Sequence, residues 1–337
     1  MTGLGEAVDN DLEPIYTSAV WKALERFPVD VESIEFVEHS ENVTFRIRAC
    51  DRASTYVLRL HRPGYNSGQE LKSERDWIVA LNNAGVSVPS PVVSHDGTHF
   101  VLVDIPEAGE QRYVGVTSWI EGAPLRDYLA TVSSKKERER LFHGIGEIAA
   151  AIHNQSANWK GPPGFMRPCL DIDGLLGESP RWGRFWEHAE LSGGEKELLL
   201  RARTNLRAAL TTYGSEHDKF SLIHSDLDPD NIIYASGGLS LIDFDDSAYG
   251  WHMYDIASAL IEYCSAPDFA ALCTALLEGY REHRPLESRD VEMLPAFLLI
   301  RGMAIIGWYH QRPEHAGSEG IDNVKNWTLM QCKAMQL

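Results

Sequence analysis

The chain has 337 residues, 44% hydrophobic and 24% charged, a composition that suits a globular protein with a sizeable core and room for two lobes. Acidic residues outnumber Lys and Arg by 49 to 31, a formal charge of −18. That balance excludes the basic surface non-specific nucleic-acid binding requires, and it is compatible with a cationic substrate. Five cysteines, an odd number with no C-x-x-C pair, read as a reduced, cytoplasmic protein without a structural zinc site.

The N-terminal stretch is polar and acidic and does not read as a signal peptide. Residues 15–27 carry apolar side chains at helical spacing. "SIEFVE", "VTFRIRA" and "TYVLRLHR" alternate as strands do, a charged helix follows over about 68–83, and "THFVLVDI" and "QRYVGVTSWI" are two further strands. The character changes after "EGAP" (121–124). Helical patterns cover 134–153 and 194–212, with an irregular Gly-, Pro- and Trp-rich stretch between them. Short β segments then surround a group of aspartates, and helices are expected at 251–264, 267–283, 289–309 and 321–335. The apolar run 295–309 falls short of the roughly 20 residues of a membrane span, carries Arg301, and reads as a buried helix; no membrane partner is expected.

The chemistry lies in "LIHSDLDPDNII" (222–233) and "LIDFDD" (241–246), which place six aspartates within residues 226–246. Adjacent carboxylates raise one another's pKa unless a cation sits among them. Magnesium, a hard ion that takes oxygen ligands, is the simplest such cation. Asn231 and Asp243 can hold it while Asp226 remains able to accept a proton. The D-x-x-x-x-N spacing followed by a β-flanked Asp is a phosphoryl-transfer layout. An EF-hand fits poorly, because "DLDPDN" lacks the required Gly and the later Glu. An acidic surface loop does not account for the spacing, the preceding His224 and the second Asp motif together.

With these motifs the chain resembles the aminoglycoside phosphotransferase and choline/homoserine kinase family. Its pattern H-G-D-x-x-x-x-N, I-D-F/W-D/E and Y-D-x-A corresponds to "HSDLDPDN", "IDFDD" and "YDIA" here. The resemblance implies an α+β, bilobal, protein-kinase-like fold: a small antiparallel β N-lobe with one inserted helix (1–120), a hinge near 117–123, and a larger, mainly helical C-lobe (121–337). It implies Asp226 as catalytic base, Asn231 and Asp243 as magnesium ligands, and His224 and Asp255 as braces of the loop. Ser225 stands where the family has Gly, and a serine fits there only if the backbone does not require positive φ.

The same resemblance implies an ATP clamp in the first half. Alternation puts Val57, Arg59 and His61 on one face of a strand, with Val57 over the adenine and Arg59 on the phosphates. Glu74 is the expected partner of Arg59. The Gly-rich loop of protein kinases is absent, and the backbone of Ser40, Glu41 and Asn42 is expected to cover the phosphates instead. Backbone groups of residues 118–120, Ser118 and Ile120 at either end, are expected to meet the adenine edge.

Taken together, an ATP- and magnesium-dependent phosphotransferase is expected, acting on a hydroxyl of a small molecule, with helices beyond residue 250 building the acceptor pocket; the acidic balance is compatible with an amine-bearing acceptor such as homoserine, an amino sugar or choline, among which the motifs do not choose. The competing readings are a bacterial Ser/Thr protein kinase of the stress-response type, which the missing activation loop disfavours, and a nucleotide-binding pseudokinase, which intact Asp226, Asn231 and Asp243 disfavour. His143 and His153 read as structural residues. The segments 161–168 and 180–186 read equally as gates or as connections.

Overall fold

A computed structural model describes residues 13–40, 42–235, 238–313 and 319–335. The chain divides into two units. The first takes the N-terminal part through Gly122, and two later segments, 161–167 and 240–245, also pack into it. The second takes the remainder. A division by contiguous sequence leaves those two segments with the later half, because nothing local in them marks which neighbours they join.

In the first unit, α1 (Glu13–Leu24) precedes β1 (Val31–His39), β2 (Val43–Ala49), β3 (Thr55–Leu60), α2 (Gly68–Asn83), β4 (Phe100–Ile105) and β5 (Glu110–Ser118). The strands form one antiparallel sheet in the order β1-β2-β3-β5-β4. Alternation decides its faces. Val43, Phe45 and Ile47 of β2 and Leu58 and Leu60 of β3 point into a core shared with Ala19, Val20, Leu24 and Phe27 at the α1 end. Helix α2 starts at a capping box, in which Ser67 accepts from the Glu70 amide and Glu70 reaches back to the Ser67 amide. These elements agree with the strands and helices expected from periodicity.

In the second unit, α3 (Leu125–Thr131) follows the two-residue strand β6 (Ala123–Pro124), which pairs with β8 (Ile232–Ala235). Then come α4 (Lys135–Asn158), the short α5 (Ile172–Leu176), α6 (Gly193–Tyr213) and β7 (Phe220–Ile223). Strand β9 (Gly238–Leu241) leads into the 240–245 segment, and β10 (Ala248–Trp251) returns to pair antiparallel with β7. Helices α7 (His252–Leu260), α8 (Phe269–His283), α9 (Ser288–His310) and α10 (Glu319–Ala334) complete the unit. Periodicity missed α3, α5 and β10, which are too short to show a repeat. Helices α4 and α8 lie backbone to backbone: a Cβ at Gly146 would come within 2.0 Å of the Leu276 carbonyl oxygen, and one at Gly279 within 2.1 Å of that of His143. Among the described residues, α9 is the one helix long and apolar enough to cross a membrane, contrary to the shorter span read from sequence, and 67% of its apolar window is buried within the protein.

Candidate active site

In the first unit the candidate site residues lie on the side of β3 turned away from the core. The Arg59 guanidinium donates to both carboxylate oxygens of Asp243, at 2.8 and 3.3 Å, and lies 3.6 Å from Asp245. Burial works against the charge on Arg59, but Asp243 and Asp245 more than offset it and keep the group cationic. The segment carrying these aspartates is fastened to the unit. Leu241 N–H donates to the Ser87 carbonyl at 2.9 Å, and Phe244 meets the Trp77 ring edge-on at 5.5 Å. Asp243 itself has φ +60, a left-handed conformation that Asp tolerates better than most residues.

Asp245 is a buried hub. Its side chain accepts from Asn42 at 2.6 Å and lies 3.4 Å from His61, while its carbonyl accepts from Asn66 at 3.1 Å and Arg167 at 2.6 Å. Burial alone would raise this carboxyl; His61, Arg59 and the Asn42 amide hold it well below the usual carboxylate range. Asn42 also accepts from the Arg62 amide at 2.9 Å, so its side chain ties the chain just before β2 and just after β3 to the aspartate segment.

In the second unit the 224–231 loop is braced from beneath. The Asp255 carboxylate, on the first turn of α7, accepts from the His224 amide at 2.9 Å and the Ser225 amide at 2.6 Å. His153 contacts the same carboxylate at 3.1 Å and Tyr280 at 2.9 Å, and it stacks on His252 with ring centroids 4.3 Å apart. Burial pushes Asp255 up to about 6, against the pull of His224 and the two amides. Burial, with Arg284 nearby, drives His153 well below its ordinary value, so the imidazole is neutral.

Ser225 has φ +66, so the expectation of a conformation that avoids positive φ is corrected. Three bonds hold the strained residue: its amide donates to Asp255, its hydroxyl to the Asp246 carbonyl, and Ser258 donates to its carbonyl. A glycine would cost less in backbone strain, but it would lose the hydroxyl bond.

Asp226 is held from two sides. Asn231 Nδ2 donates to its carbonyl at 3.0 Å and its carboxylate at 2.9 Å, and Arg301 of α9 pairs with the other carboxylate oxygen. Arg301 is the lone charge in the apolar run 295–309, and it sits among aromatic rings, about 6.0 Å from Trp182 and 5.9 Å from Tyr254. Asp226 and Tyr254 overcome its burial and keep it charged. Burial pushes Tyr254 up to about 12. Next along the loop, Arg126 pairs with Asp228 at 2.5 Å, Asp230 at 2.6 Å and Glu262. Burial and Glu262 nevertheless push Asp228 up to about 7.

The structure thus brings Asn42, Arg59 and Asp243 together in one unit, and Asp226 and Asn231 in the other. The expected Arg59–Glu74 pair is not the one formed. Asp243 offers Arg59 a two-pronged carboxylate, whereas Glu74 is buried with Arg75 3.8 Å away. Burial raises the Glu74 carboxyl, and Arg75 opposes the shift. Val57 lies on the Arg59 face as expected, half-buried and opposite Thr117. The Ser118 amide and hydroxyl are both occupied by Ser90, at 2.8 Å each, and the Trp119 amide donates to Thr55. Of the expected phosphate cover, Glu41 lies outside the described residues.

The residues that sequence reasoning passed over are Arg301, Asp245, Arg126 and Arg167. A single arginine inside a 15-residue apolar stretch was the available signal for Arg301. Arg167, in the undecided 161–168 segment, reaches the carbonyls of Phe244 and Asp245. The 180–186 segment supplies Trp182, which stacks parallel to Tyr254 at 6.0 Å.

The donors suit a hard cation. Asp243 contributes carboxylate oxygens, already facing one cation in Arg59. Asn231 turns its amide nitrogen to Asp226, which leaves the amide oxygen as its ligand atom.

Comparison with known proteins bears on these features. A sequence model described as "phosphotransferase enzyme family" matches residues 33–286. A homoserine kinase of Chelativorans sp. (strain BNC1) is 39% identical over 277 residues, which cover 80% of this chain and 76% of that protein. The solved structure of a microcompartment-associated aminopropanol kinase is 30% identical, covers 94% of this chain and 95% of its own, and superposes with a TM-score of 0.78. An amicoumacin kinase, hAmiN, solved with AMP-PNP and Ca2+, is 21% identical and shares the fold, with a TM-score of 0.77 over 95% of this chain and 96% of its own.

Proposed function

We infer the function from one premise: the chain belongs to the phosphotransferase enzyme family, a kinase with a protein-kinase-like fold that transfers a phosphoryl group to a hydroxyl of a small molecule. ATP with a divalent metal is the donor system of this family. The acceptor we assign is a short amino alcohol of the homoserine or aminopropanol kind, and the metal is magnesium.

The observation that carries this reading is the setting of Asp226, a carboxylate oriented by Asn231 and Arg301 on a loop braced by Asp255. A base that takes a hydroxyl proton must be held in one orientation at the moment of transfer. Arg301 acts as the positioning residue. Asn231 and Asp243 are the residues that would hold magnesium, which when bound neutralises phosphate charge. Arg59, paired with Asp243 rather than Glu74, is assigned to the phosphates. Asn42 anchors the phosphate cover, Val57 lies over the adenine, and Ile120, at the end of the strand that Ser118 secures, meets the adenine edge. The first unit then clamps the nucleotide, and the second carries the acceptor.

An amine on the acceptor is supported by the formal charge of −18 and by relatives named for homoserine and aminopropanol. A cytoplasmic location accords with five free cysteines.

The test is ADP release from magnesium-ATP with homoserine, aminopropanol, choline and amino sugars offered singly, wild type beside Asp226→Ala and Arg301→Met. Acceptor-dependent ADP from wild type with homoserine or aminopropanol supports the reading. Turnover with choline or an amino sugar alone overturns the acceptor, and wild-type rates in Asp226→Ala overturn the base. A positioning role for Arg301 predicts a lower kcat with an unchanged KM for ATP, and no rescue by Arg301→Lys, which lacks the planar fork.

A further inference from the structure

We propose that Trp182 and Tyr254 are positioning residues of the second unit: together they fix the plane of the Arg301 guanidinium and, through it, the carboxylate of Asp226. The inference deepens the reading of Asp226 as the base and rests on it. Arg301 meets Asp226 through one nitrogen, Nη2, and one carboxylate oxygen. Its Nε is buried and has no hydrogen-bond partner among the described residues. A contact at one point leaves a planar fork free to turn about that point, whereas the two-pronged contact of Arg59 with Asp243 fixes its plane. A second constraint must set the orientation of Arg301, and two rings are in place to supply it. The guanidinium carbon is 6.0 Å from the Trp182 centroid and 5.9 Å from that of Tyr254, and the two ring centroids are 6.0 Å apart with their planes inclined by 5°. The three groups form a triangle of nearly equal sides. Both rings are buried, Trp182 5% and Tyr254 0% exposed, so water does not weaken the attraction between cation and ring face. The Tyr254 hydroxyl has no hydrogen-bond partner, which leaves the ring as the part of Tyr254 that acts.

Both rings are carried by backbone with little play. Trp182 lies in a turn closed by the Gly183 amide on the Pro180 carbonyl at 2.9 Å, with Gly183 at φ +93. The turn rests directly on α9: a Cβ at Gly307 would come within 2.6 Å of the Gly183 carbonyl oxygen and 2.8 Å of that of Trp182. Backbone packs on backbone there, so the Trp182 ring keeps a fixed relation to Arg301, earlier on the same helix. Tyr254 immediately precedes Asp255, so one turn of α7 holds the loop backbone through Asp255 and Arg301 through its neighbour. The 180–186 segment thereby gains a task beyond connection: it delivers one of the two rings that orient the partner of Asp226.

The experiment joins kinetics to a direct view of Arg301. kcat and the KM values for ATP and acceptor are measured with the fastest of homoserine, aminopropanol, choline and the amino sugars. The proteins are wild type, Asp226→Ala, Arg301→Met, Trp182→Phe, Trp182→Leu, Tyr254→Phe, Tyr254→Leu and the double variant Arg301→Met with Trp182→Leu. The Arg301 Nε–H resonance, assigned by its loss in Arg301→Met, is followed by nitrogen–proton NMR. Urea unfolding verifies each fold, and the phenylalanine variants, which keep a ring, carry the test where a leucine variant does not fold. The expected result is a kcat lowered by up to about 10²-fold in Trp182→Leu and Tyr254→Leu, and by less in Trp182→Phe, with both KM values held. Tyr254→Phe stays near wild type. Adding Trp182→Leu to Arg301→Met costs nothing further, because both changes act through one guanidinium. The Nε–H signal, displaced upfield by the rings in wild type, moves back in the leucine variants. A raised acceptor KM at unchanged kcat in Trp182→Leu would place the ring in acceptor binding instead. Losses that add to that of Arg301→Met would make it a general structural support, and a signal unmoved by either leucine variant would show that the rings do not orient Arg301. Each of these overturns the inference and, with Asp226→Ala inactive, leaves the base standing. Wild-type rates in Asp226→Ala sink the base itself, and this inference with it.

Discussion

The two aspartate segments solve one problem in opposite ways. In the 240–245 segment, Asp245 is buried but surrounded by Arg59, His61 and Asn42, and its carboxyl is held far down. In the 224–231 loop, Asp228 is surrounded by other acids that share a single Arg126, and its carboxyl is pushed up to about 7. The first segment has a surplus of cationic and amide partners, so its charge is secure. The second is short of them, so its charge depends on Arg126 and Arg301. A buried carboxylate is tolerated in proportion to the partners that replace water. The contrast is what the proposed function asks for: a rigid clamp in one unit and a loop that handles a proton in the other.

The strongest way to break this comparison is to remove the proposed base. Asp226→Ala should lower kcat roughly 10²–10⁴-fold while ATP binding, followed by fluorescence titration, stays near wild type. Equal loss of nucleotide affinity would show that the loop does not act separately from the clamp.

Asp245→Ala probes the other segment. Leaving His61 and Asn42 without their buried partner, and Arg59 with Asp243 alone, should cost about 3–5 kcal/mol in urea unfolding. A change under 1 kcal/mol would mean that the hub is not what secures this segment.

The brace should show itself in pH. His153 and His252 have folded pKa values driven below the ordinary 6.5 by burial, so the unfolded chain takes up their protons first. Their contribution is intact above about pH 6.5 and is lost as pH falls toward their folded values. Asp255, raised to about 6, works the other way: the folded state takes its proton first, which adds stability as pH falls through 6. Two histidines outweigh one carboxyl, so stability measured by denaturant should drop between pH 7 and 5, and His153→Gln should shrink the drop. A flat profile in wild type would remove the neutral-histidine brace.

The smallest effect belongs to Ser225. At φ +66, Ser225→Gly trades relief of about 1–2 kcal/mol of left-handed strain against loss of a hydrogen bond worth about 1 kcal/mol, so thermal unfolding should move little. Ser225→Ala keeps the strain, loses the bond, and should be the less stable of the two.

Much was legible before any coordinates. The five strands, α2, the long helices and the motif pair all came from periodicity and spacing. What escaped was of two kinds. Elements too short to repeat, such as α3 and β10, leave no period to read. Partners distant in sequence leave no local trace: Arg301 lies 75 residues from Asp226, and Asp243 lies 184 from Arg59.

The sequence by itself determined the order of the longer elements, the family and the residue types available for phosphoryl transfer, because these depend on local periodicity and on fixed spacing along one loop. Tertiary structure decided which charge meets which. It gave Arg59 to Asp243 rather than Glu74, set Arg301 on Asp226, and placed 161–167 and 240–245 with the first unit. The physical reason is that ion pairing and burial depend on distance and desolvation in three dimensions, and a chain that folds back over hundreds of residues does not encode those distances in any short window.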